Sequence, residues 1–320
     1  MWAVQYHRHG SPDVLTIDEI PIPELRSGQV LVRTVASGVS RIDAEFRRGR
    51  FPHGLGFPKQ TGFDAVGVVA DAGDTALPMG TPVAVVLGLE PLCARGTTVE
   101  LLAVETERCG LFPRDHHLVA ADVAPALGGL TALRAIRDVV RPRPGDHILV
   151  VGGGGPVGLA AIRLAGLFGA RVDAVVGRAA QTAAHEMGAD LVVDHRSQDC
   201  AALQQGLHYD GIVLAAGEPK TWCGAGAPGA RMALTDGSAW PRSLMPARRS
   251  GIVSRPVAAG HDSRDLTWLA HRIADGELPG VVGVTFAPHQ AADAHRQLGT
   301  PGTCGARVID HLPQPSSFSA

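Results

Sequence analysis

His147-Ile148-Leu149-Val150-Val151-Gly152-Gly153-Gly154-Gly155-Pro156-Val157-Gly158 is the stretch on which the fold turns. Its first five residues form a continuous apolar run, the pattern of a strand buried on both faces of a parallel sheet. Val157 to Phe168 then continues as an apolar helix. Gly153, Gly155 and Gly158 satisfy GxGxxG between these two elements. In that context the first glycine makes the tight turn and the second lets a pyrophosphate approach the backbone. The third lets helix pack on strand, while Pro156 and Val157 open the helix whose N-terminus faces the phosphates. In a chain with 40 glycines the same letters also read as a glycine-rich turn with no ligand. The flanking strand and helix favour a bound dinucleotide.

Outward from this loop the pattern repeats. Strand Arg171–Val176, helix Ala179–Met187, strand Leu191–Asp194 and strand Gly211–Ala215 follow it, and a helical run from Asp122 to Val140 precedes it. Strands alternating with helices of this length predict an α/β fold with a doubly wound parallel sheet. Residues 1 to about 118 read instead as β-rich, with strands at Gln29–Val35, Ala65–Ala70 and Pro82–Leu87 and a short helical turn at Arg41–Arg48. Towards the C-terminus, Leu266–Ala274 and Gln290–Leu298 read as helices and Ala306–Asp310 as a last strand. The tail Pro313–Ser317 is expected to fray.

About twenty residues after the glycine loop, an NAD site places Asp or Glu at the end of the second strand, on the ribose hydroxyl. Here that strand ends in Gly177-Arg178. A guanidinium binds a 2′-phosphate that a carboxylate repels, so the sequence favours NADP(H). The alternative is that Arg178 is an ordinary solvated loop arginine.

Composition narrows the class further. The net charge is −2, hydrophobic residues make up 45% and charged residues 19%. That suits about two globular domains and gives no basic field for a nucleic-acid partner. No apolar run approaches the ~18 residues of a membrane span, and the first residues lack the order of a signal peptide, so a soluble cytoplasmic protein is expected. Five cysteines, far apart and without a CxxC pair, predict buried reduced thiols rather than a disulfide framework or a zinc lobe.

Several short stretches together resemble the medium-chain dehydrogenase/reductase superfamily, in its zinc-free quinone-oxidoreductase-like branch. They are Gly10–Leu15, Ala36–Asp43, Thr61–Val69, Gly129–Ala132, the glycine loop, Met187–Asp190 and Ala274–Leu278. The similarity runs from about Ala3 to Ile309. It implies a GroES-like, β-rich catalytic domain at residues 1–120, completed by 261–320, and a Rossmann NADP(H)-binding domain at 121–260. It also implies an active site in the cleft between them and a homodimer. Thr131 matches a family threonine near the nicotinamide, although Gly-Leu-Thr is equally a helix start.

The zinc enzymes of this superfamily hold their metal with a Cys, a His and a further Cys or Asp. Those positions read Ser40, Phe63 and about Leu127 here, with Asp64 beside the second. Serine, phenylalanine and leucine do not hold zinc, so no metal is expected. Without it, an activated C=C is a better hydride acceptor than a simple alcohol or carbonyl. Ser40 and Glu45 depart from the asparagine and tyrosine usual in the branch. Ser40 either donates one hydrogen bond to the acceptor or caps the helix at Arg41. Glu45 either acts as a buried proton donor or pairs with Arg48 or Arg41 on a solvated turn. Asp43 is expected to be structural, a salt-bridge partner to Arg307, and the role of Asp64 is open among the catalytic candidates.

The reading is an NADPH-dependent, zinc-independent reductase of a small-molecule quinone or α,β-unsaturated carbonyl. Two alternatives survive: a dedicated enoyl reductase tailoring a biosynthetic intermediate, and an NADPH-binding sensor whose catalytic residues have drifted.

Overall fold

A computed structural model describes residues 1–51, 56–88, 95–206, 209–236, 251–300 and 302–312. Its strands, in chain order, are β1 (Trp2–Tyr6), β2 (Leu15–Glu19), β3 (Gln29–Val39), β4 (Lys59–Gln60), β5 (Asp64–Asp71), β6 (Pro82–Val86), β7 (Leu101–Glu105) and β8 (Cys109–Leu111). They continue as β9 (His147–Val151), β10 (Arg171–Val176), β11 (Leu191–Asp194), β12 (Tyr209–Leu214), β13 (Gly226–Leu234), β14 (Val253–Pro256), β15 (Val282–Phe286) and β16 (Ala306–Asp310). Three helices matter most for the site: α1 (Arg41–Arg47), α2 (Ala126–Arg134) and α3 (Pro156–Leu167). The chain divides into one unit of residues 1–127, 260–300 and 306–320 and another of residues 128–259 and 301–305. The tail at 313–317 and Cys93 lie outside the described residues. No helix among the described residues is long and apolar enough to cross a membrane.

In the first unit β2-β1-β4 form a small antiparallel sheet, and β15-β16-β3-β5-β6-β8 a larger one with β7 also on β3. All neighbours in the larger sheet are antiparallel except β15 and β16. Its core is mostly β-branched, with Val30 and Val32 of β3, Val69 of β5, Val83 and Val85 of β6 and Val104 of β7, beside Leu102 of β7. Such side chains suit a pleated surface buried on one face, at about 1.5–3 kcal/mol of transfer free energy for each one fully buried.

Helix α1 is fixed to this unit by a buried arginine. Arg47 has no exposed surface, its Nε donates to Nδ1 of His295 at 3.3 Å, and its Nη1 donates to the Gly10 carbonyl. Accepting that bond requires a neutral imidazole. Burial first, and the neighbouring guanidiniums of Arg47 and Arg48 second, hold His295 down at about 3. The helix Ala291–Arg296 is thereby tied to α1 across some 250 residues of sequence.

The second unit is a parallel sheet in the order β11-β10-β9-β12-β13-β14. Renumbered from β9, that is 3-2-1-4-5-6, the Rossmann order. Leu149, Val151, Val175, Ile212, Leu214 and Met232 fill its interior, which is why β9 reads as an unbroken apolar run. The helix expected over Asp122–Val140 is in fact three pieces. A 3-10 turn covers Ala120–Val123, α2 follows, and a π-helical turn covers Ala135–Val140. Pro125 separates the first two, since it brings no N–H for a helix interior. The last turn closes with Arg141 in a left-handed conformation at φ 52°.

Candidate active site

In the nucleotide-binding half, β9 runs directly into the glycine loop. The tight turn falls one residue earlier than the sequence suggested. Gly152, not Gly153, carries the positive φ of 81°, a region that disfavours any side chain. Gly153 instead packs flat, since a Cβ there would lie 2.9 Å from Val176 Cγ1. Gly158 is the contact between α3 and the turn: a Cβ would fall 2.3 Å from the Gly152 carbonyl oxygen. Gly155 differs from both. It caps α3 with extended backbone, Pro156 takes the first helical position, and a Cβ built on Gly155 would meet nothing within 4 Å.

The loop therefore presents an open face at the positive end of a 12-residue helix. Such a cradle fits the pyrophosphate of a dinucleotide. Pro156 and Val157 are half-buried beside it, and Gly128 of α2 packs on Pro156. Thr131 is buried one helical turn further along α2, on the same face as Gly128. The Gly305 N–H donates to the Gly154 carbonyl at 2.9 Å, so a C-terminal loop braces the cradle.

At the end of β10, Gly177 leaves space and Arg178 is exposed, with no ion-pair or hydrogen-bond partner among the described residues. Sequence reasoning missed a neighbour here. His195, at the end of β11, lies 3.7 Å from where a Gly177 Cβ would stand, and its Nδ1 is 3.1 Å from the Val176 carbonyl. The signal was available, because adjacent parallel strands bring their C-terminal ends together. The pair Arg178 and His195 can receive a phosphate.

In the β-rich unit, Ser40, Phe63 and Leu127 are each half-buried. Ser40 ends β3 and caps α1. Both its N–H and its Oγ donate to Asp43 Oδ2, at 2.8 and 2.6 Å. Its single proton is thus engaged, and the capping alternative is the arrangement seen. Asp43 is 2% exposed and accepts also from the Gly62 N–H at 2.8 Å and the Thr61 hydroxyl at 3.4 Å. Burial raises its carboxyl above the usual range despite these bonds. The expected salt bridge from Asp43 to Arg307 is not formed; Arg307 Nη2 donates to the Gln297 carbonyl. Hydrogen bonds to nearby backbone satisfy Asp43 where it stands, at the start of a helix.

Glu45 also resolves towards its alternative. Its carboxylate accepts from Arg48 at 3.0 Å and from Arg50 at 3.1 Å, so it is a paired group on the outer side of α1 rather than a lone acid. Arg50, not Arg41, is the second partner, because the chain turns back after Gly49.

Asp64 has the opposite setting. It is 4% exposed, its Oδ2 accepts from the Leu127 N–H at 3.1 Å, and its buried Oδ1 has no hydrogen-bond partner among the described residues. The carboxyl lies against the α-carbon of Gly38, where any Cβ would come within 2.4 Å of Oδ1. Burial, with a smaller contribution from Asp43, pushes Asp64 up to about 7. At neutral pH it can hold a proton or release one.

A zinc ion does not fit this donor set. Phe63 packs edge-on against Phe46, with ring centroids 5.1 Å apart, and Leu127 offers no ligand atom. The described residues hold no group of three His, Cys, Asp or Glu side chains that could bind a metal.

Comparison with known proteins finds matches in both units. The family model described as alcohol dehydrogenase GroES-like domain matches residues 26–114, and that described as zinc-binding dehydrogenase matches residues 187–309. An alcohol dehydrogenase of Rhizobium meliloti (strain 1021) is 31% identical over 250 residues, covering 69% of this chain and 71% of that protein. The chloroplastic NADPH-dependent alkenal/one oxidoreductase of Arabidopsis thaliana is 31% identical over 229 residues, or 68% of this chain and 58% of its own length. Among solved structures, the quinone oxidoreductase of Coxiella burnetii superposes with a TM-score of 0.86 at 22% identity, over 98% of this chain and 99% of that one.

Proposed function

This chain belongs to the medium-chain dehydrogenase/reductase superfamily as a quinone oxidoreductase-like oxidoreductase, and from that premise we propose that it is an NADPH-dependent, zinc-independent reductase of quinones or α,β-unsaturated carbonyl compounds. The observation that carries the reading is the unobstructed face of Gly155 at the N-terminus of α3, with a second strand whose C-terminal end passes into Gly177 and Arg178 rather than an acid. The fragment of sequence between β9 and α3 does the binding, and Arg178 with His195 receives the 2′-phosphate. A cytoplasmic homodimer acting on a small molecule completes the proposal.

Bound at this loop, the nicotinamide supplies a hydride. The rest of the chemistry belongs to the chain. Phe63 and Leu127 give the acceptor a dry surface in place of metal ligands, which suits an electron-poor C=C better than an alcohol. Reduction of that bond needs one proton, and Asp64 can hold it at Oδ1. Ser40 and Thr61 support this arrangement through Asp43 rather than acting on the acceptor directly.

The test is a screen of NADPH oxidation across quinones, enones and simple aldehydes, with and without a metal chelator. Turnover of the activated acceptors, unchanged by chelator, is expected. Tight NADPH binding without turnover of any acceptor would instead support a sensor.

Cofactor choice gives a second expected result. Arg178→Ala weakens NADPH binding by roughly tenfold, the effect of losing one charge-assisted contact, and by less as salt rises, because the side chain is exposed. NADH binding stays unchanged. Paired titrations of both cofactors check this; equal weakening of both would make Arg178 a packing residue.

A further inference from the structure

The imidazole of His195 lies where two parallel strands end side by side. Val176 closes β10, Asp194 closes β11, and the two residues stand opposite each other. His195 carries that pairing one step further, because its backbone N–H donates to the Val176 carbonyl at 2.9 Å. Its side chain then turns back over the edge. Cε1 and Nδ1 would stand 3.7 and 3.9 Å from a Cβ on Gly177. The ring therefore rests beside the space that a side chain on Gly177 would fill, and about half of it, 51%, is exposed.

Hydrogen bonding decides which ring nitrogen carries the proton. Nδ1 is 3.1 Å from the Val176 carbonyl oxygen and 3.5 Å from Asp194 Oδ1. Both neighbours are acceptors, so Nδ1 donates in either charge state of the ring. In the neutral imidazole Nε2 is then left with a lone pair and no hydrogen. In the imidazolium the same nitrogen becomes a second N–H donor. No described residue hydrogen-bonds to Nε2, so that nitrogen is available to a ligand.

Two cationic groups with different habits thus stand at one strand end. Arg178 follows Gly177 and is charged at every working pH. An imidazole changes its charge between about pH 5 and 8. The other charges beside the ring are Asp194, in reach of Nδ1, and Arg196 and Asp199, which follow His195 in the chain. Towards a phosphate at Gly177 the neutral ring offers a lone pair against lone pairs. The protonated ring offers a charge-assisted hydrogen bond. A bare ribose hydroxyl, which both donates and accepts, can pair with Nε2 in either state.

We infer that His195 makes the cofactor preference proton-dependent: with the ring charged the chain selects the 2′-phosphate of NADPH strongly over the ribose of NADH, and with the ring neutral Arg178 alone reads the phosphate. The inference rests on the NADPH reading and adds a regulation to that same site.

The experiment measures Kd for NADPH and for NADH at about pH 6 and about pH 8.5, in the wild type and in His195→Gln. Glutamine offers an N–H at every pH and has no proton to lose. Relative to the variant, the wild-type ratio of NADPH to NADH affinity is expected to fall roughly fivefold over that range. The variant also corrects for the second ionisation of the phosphate itself, near pH 6, which works in the opposite direction. Calorimetry at about pH 7.5, in two buffers of different ionisation enthalpy, gives a linked result. NADPH binding should take up a fraction of a proton in the wild type, and neither NADH nor His195→Gln should show that uptake. The same pH dependence of the ratio in both proteins overturns the switch while leaving the NADPH preference in place. A preference for NADH at both pH values overturns the switch and the NADPH reading together. A preference that falls with pH only when His195 is present, without turnover of any quinone or enone, supports the switch and removes the reductase reading instead.

Discussion

Asp64→Asn is expected to remove from the pH dependence of stability the part that this carboxyl contributes, a loss of about 4 kcal/mol between pH 4 and 7. The sign follows from the setting of the carboxyl. Its pKa rises from 3.8 in the unfolded chain to about 7 in the fold because burial disfavours the charged form. A group with a raised folded pKa contributes its full stability below the unfolded value and loses it as pH rises through the folded one. A rise of just over three units at 1.36 kcal/mol each gives the figure of about 4 kcal/mol. Asparagine keeps an acceptor for the Leu127 N–H but has nothing to ionise. The melting-temperature difference between variant and wild type should therefore grow steadily up to pH 7 and level off above it. Activity should respond in the same window. If Asp64 holds the transferred proton, wild-type kcat declines above pH 7, and the variant loses both that limb and about 10²-fold in rate. Parallel melting curves across the pH range would show that Asp64 does not titrate there.

The glycine loop offers a contrast between two substitutions of the same size. Gly158→Ala places a methyl group 2.3 Å from the Gly152 carbonyl oxygen and 2.6 Å from the Gly153 α-carbon. Both are backbone atoms and cannot swing aside, so α3 must lift from β9, at a cost of about 1–3 kcal/mol or more. Gly155→Ala meets no protein atom. It should melt with the wild type and yet bind NADPH at least about tenfold more weakly, or 1.4 kcal/mol, because the added methyl stands where the pyrophosphate approaches. Thermal melts and NADPH titrations of the two variants separate packing from binding. Wild-type affinity in Gly155→Ala would mean that the loop is a turn and not a cradle.

The parallel sheet was legible because its central strand is buried on both faces. His147–Val151 needs no partner in view to be recognised, and the helix after it follows from Pro156 and the apolar residues behind. Strands β1 and β2 escaped notice because neither alternates: β1 is buried at four of its five positions, polar Gln5 among them, and β2 has no fully buried residue. β13 opens with Gly-Ala-Pro-Gly, letters that read as a turn. The acids were harder still. Glu45 and Asp64 both sit near the positions that departed from the family, and sequence alone leaned towards Glu45 as the informative one. Which carboxyl is buried depends on contacts that the spacing does not show: the turn after Gly49 brings Arg50 back to Glu45, while Leu127 and Gly38 enclose Asp64. His195 was the exception, a residue that strand adjacency would have revealed.

The strand that carries Ser40 has an edge that waits for the end of the chain. Residues Ala36–Val39 of β3 pair with Arg307–Asp310 of β16, so during synthesis that edge stays open while everything between is made. At about 5–20 residues per second the wait is roughly a quarter of a minute to a minute. The parallel sheet has all its strands between His147 and Pro256 and can close within that interval. A ribosome stalled before residue 300 would thus display a parallel sheet with all its strands made, together with an antiparallel sheet that has an unpaired strand. Such an edge is what chaperones and neighbouring nascent chains recognise. Emergence of Arg307–Asp310, rather than the making of Ser40 and Asp64, is the event that completes this sheet.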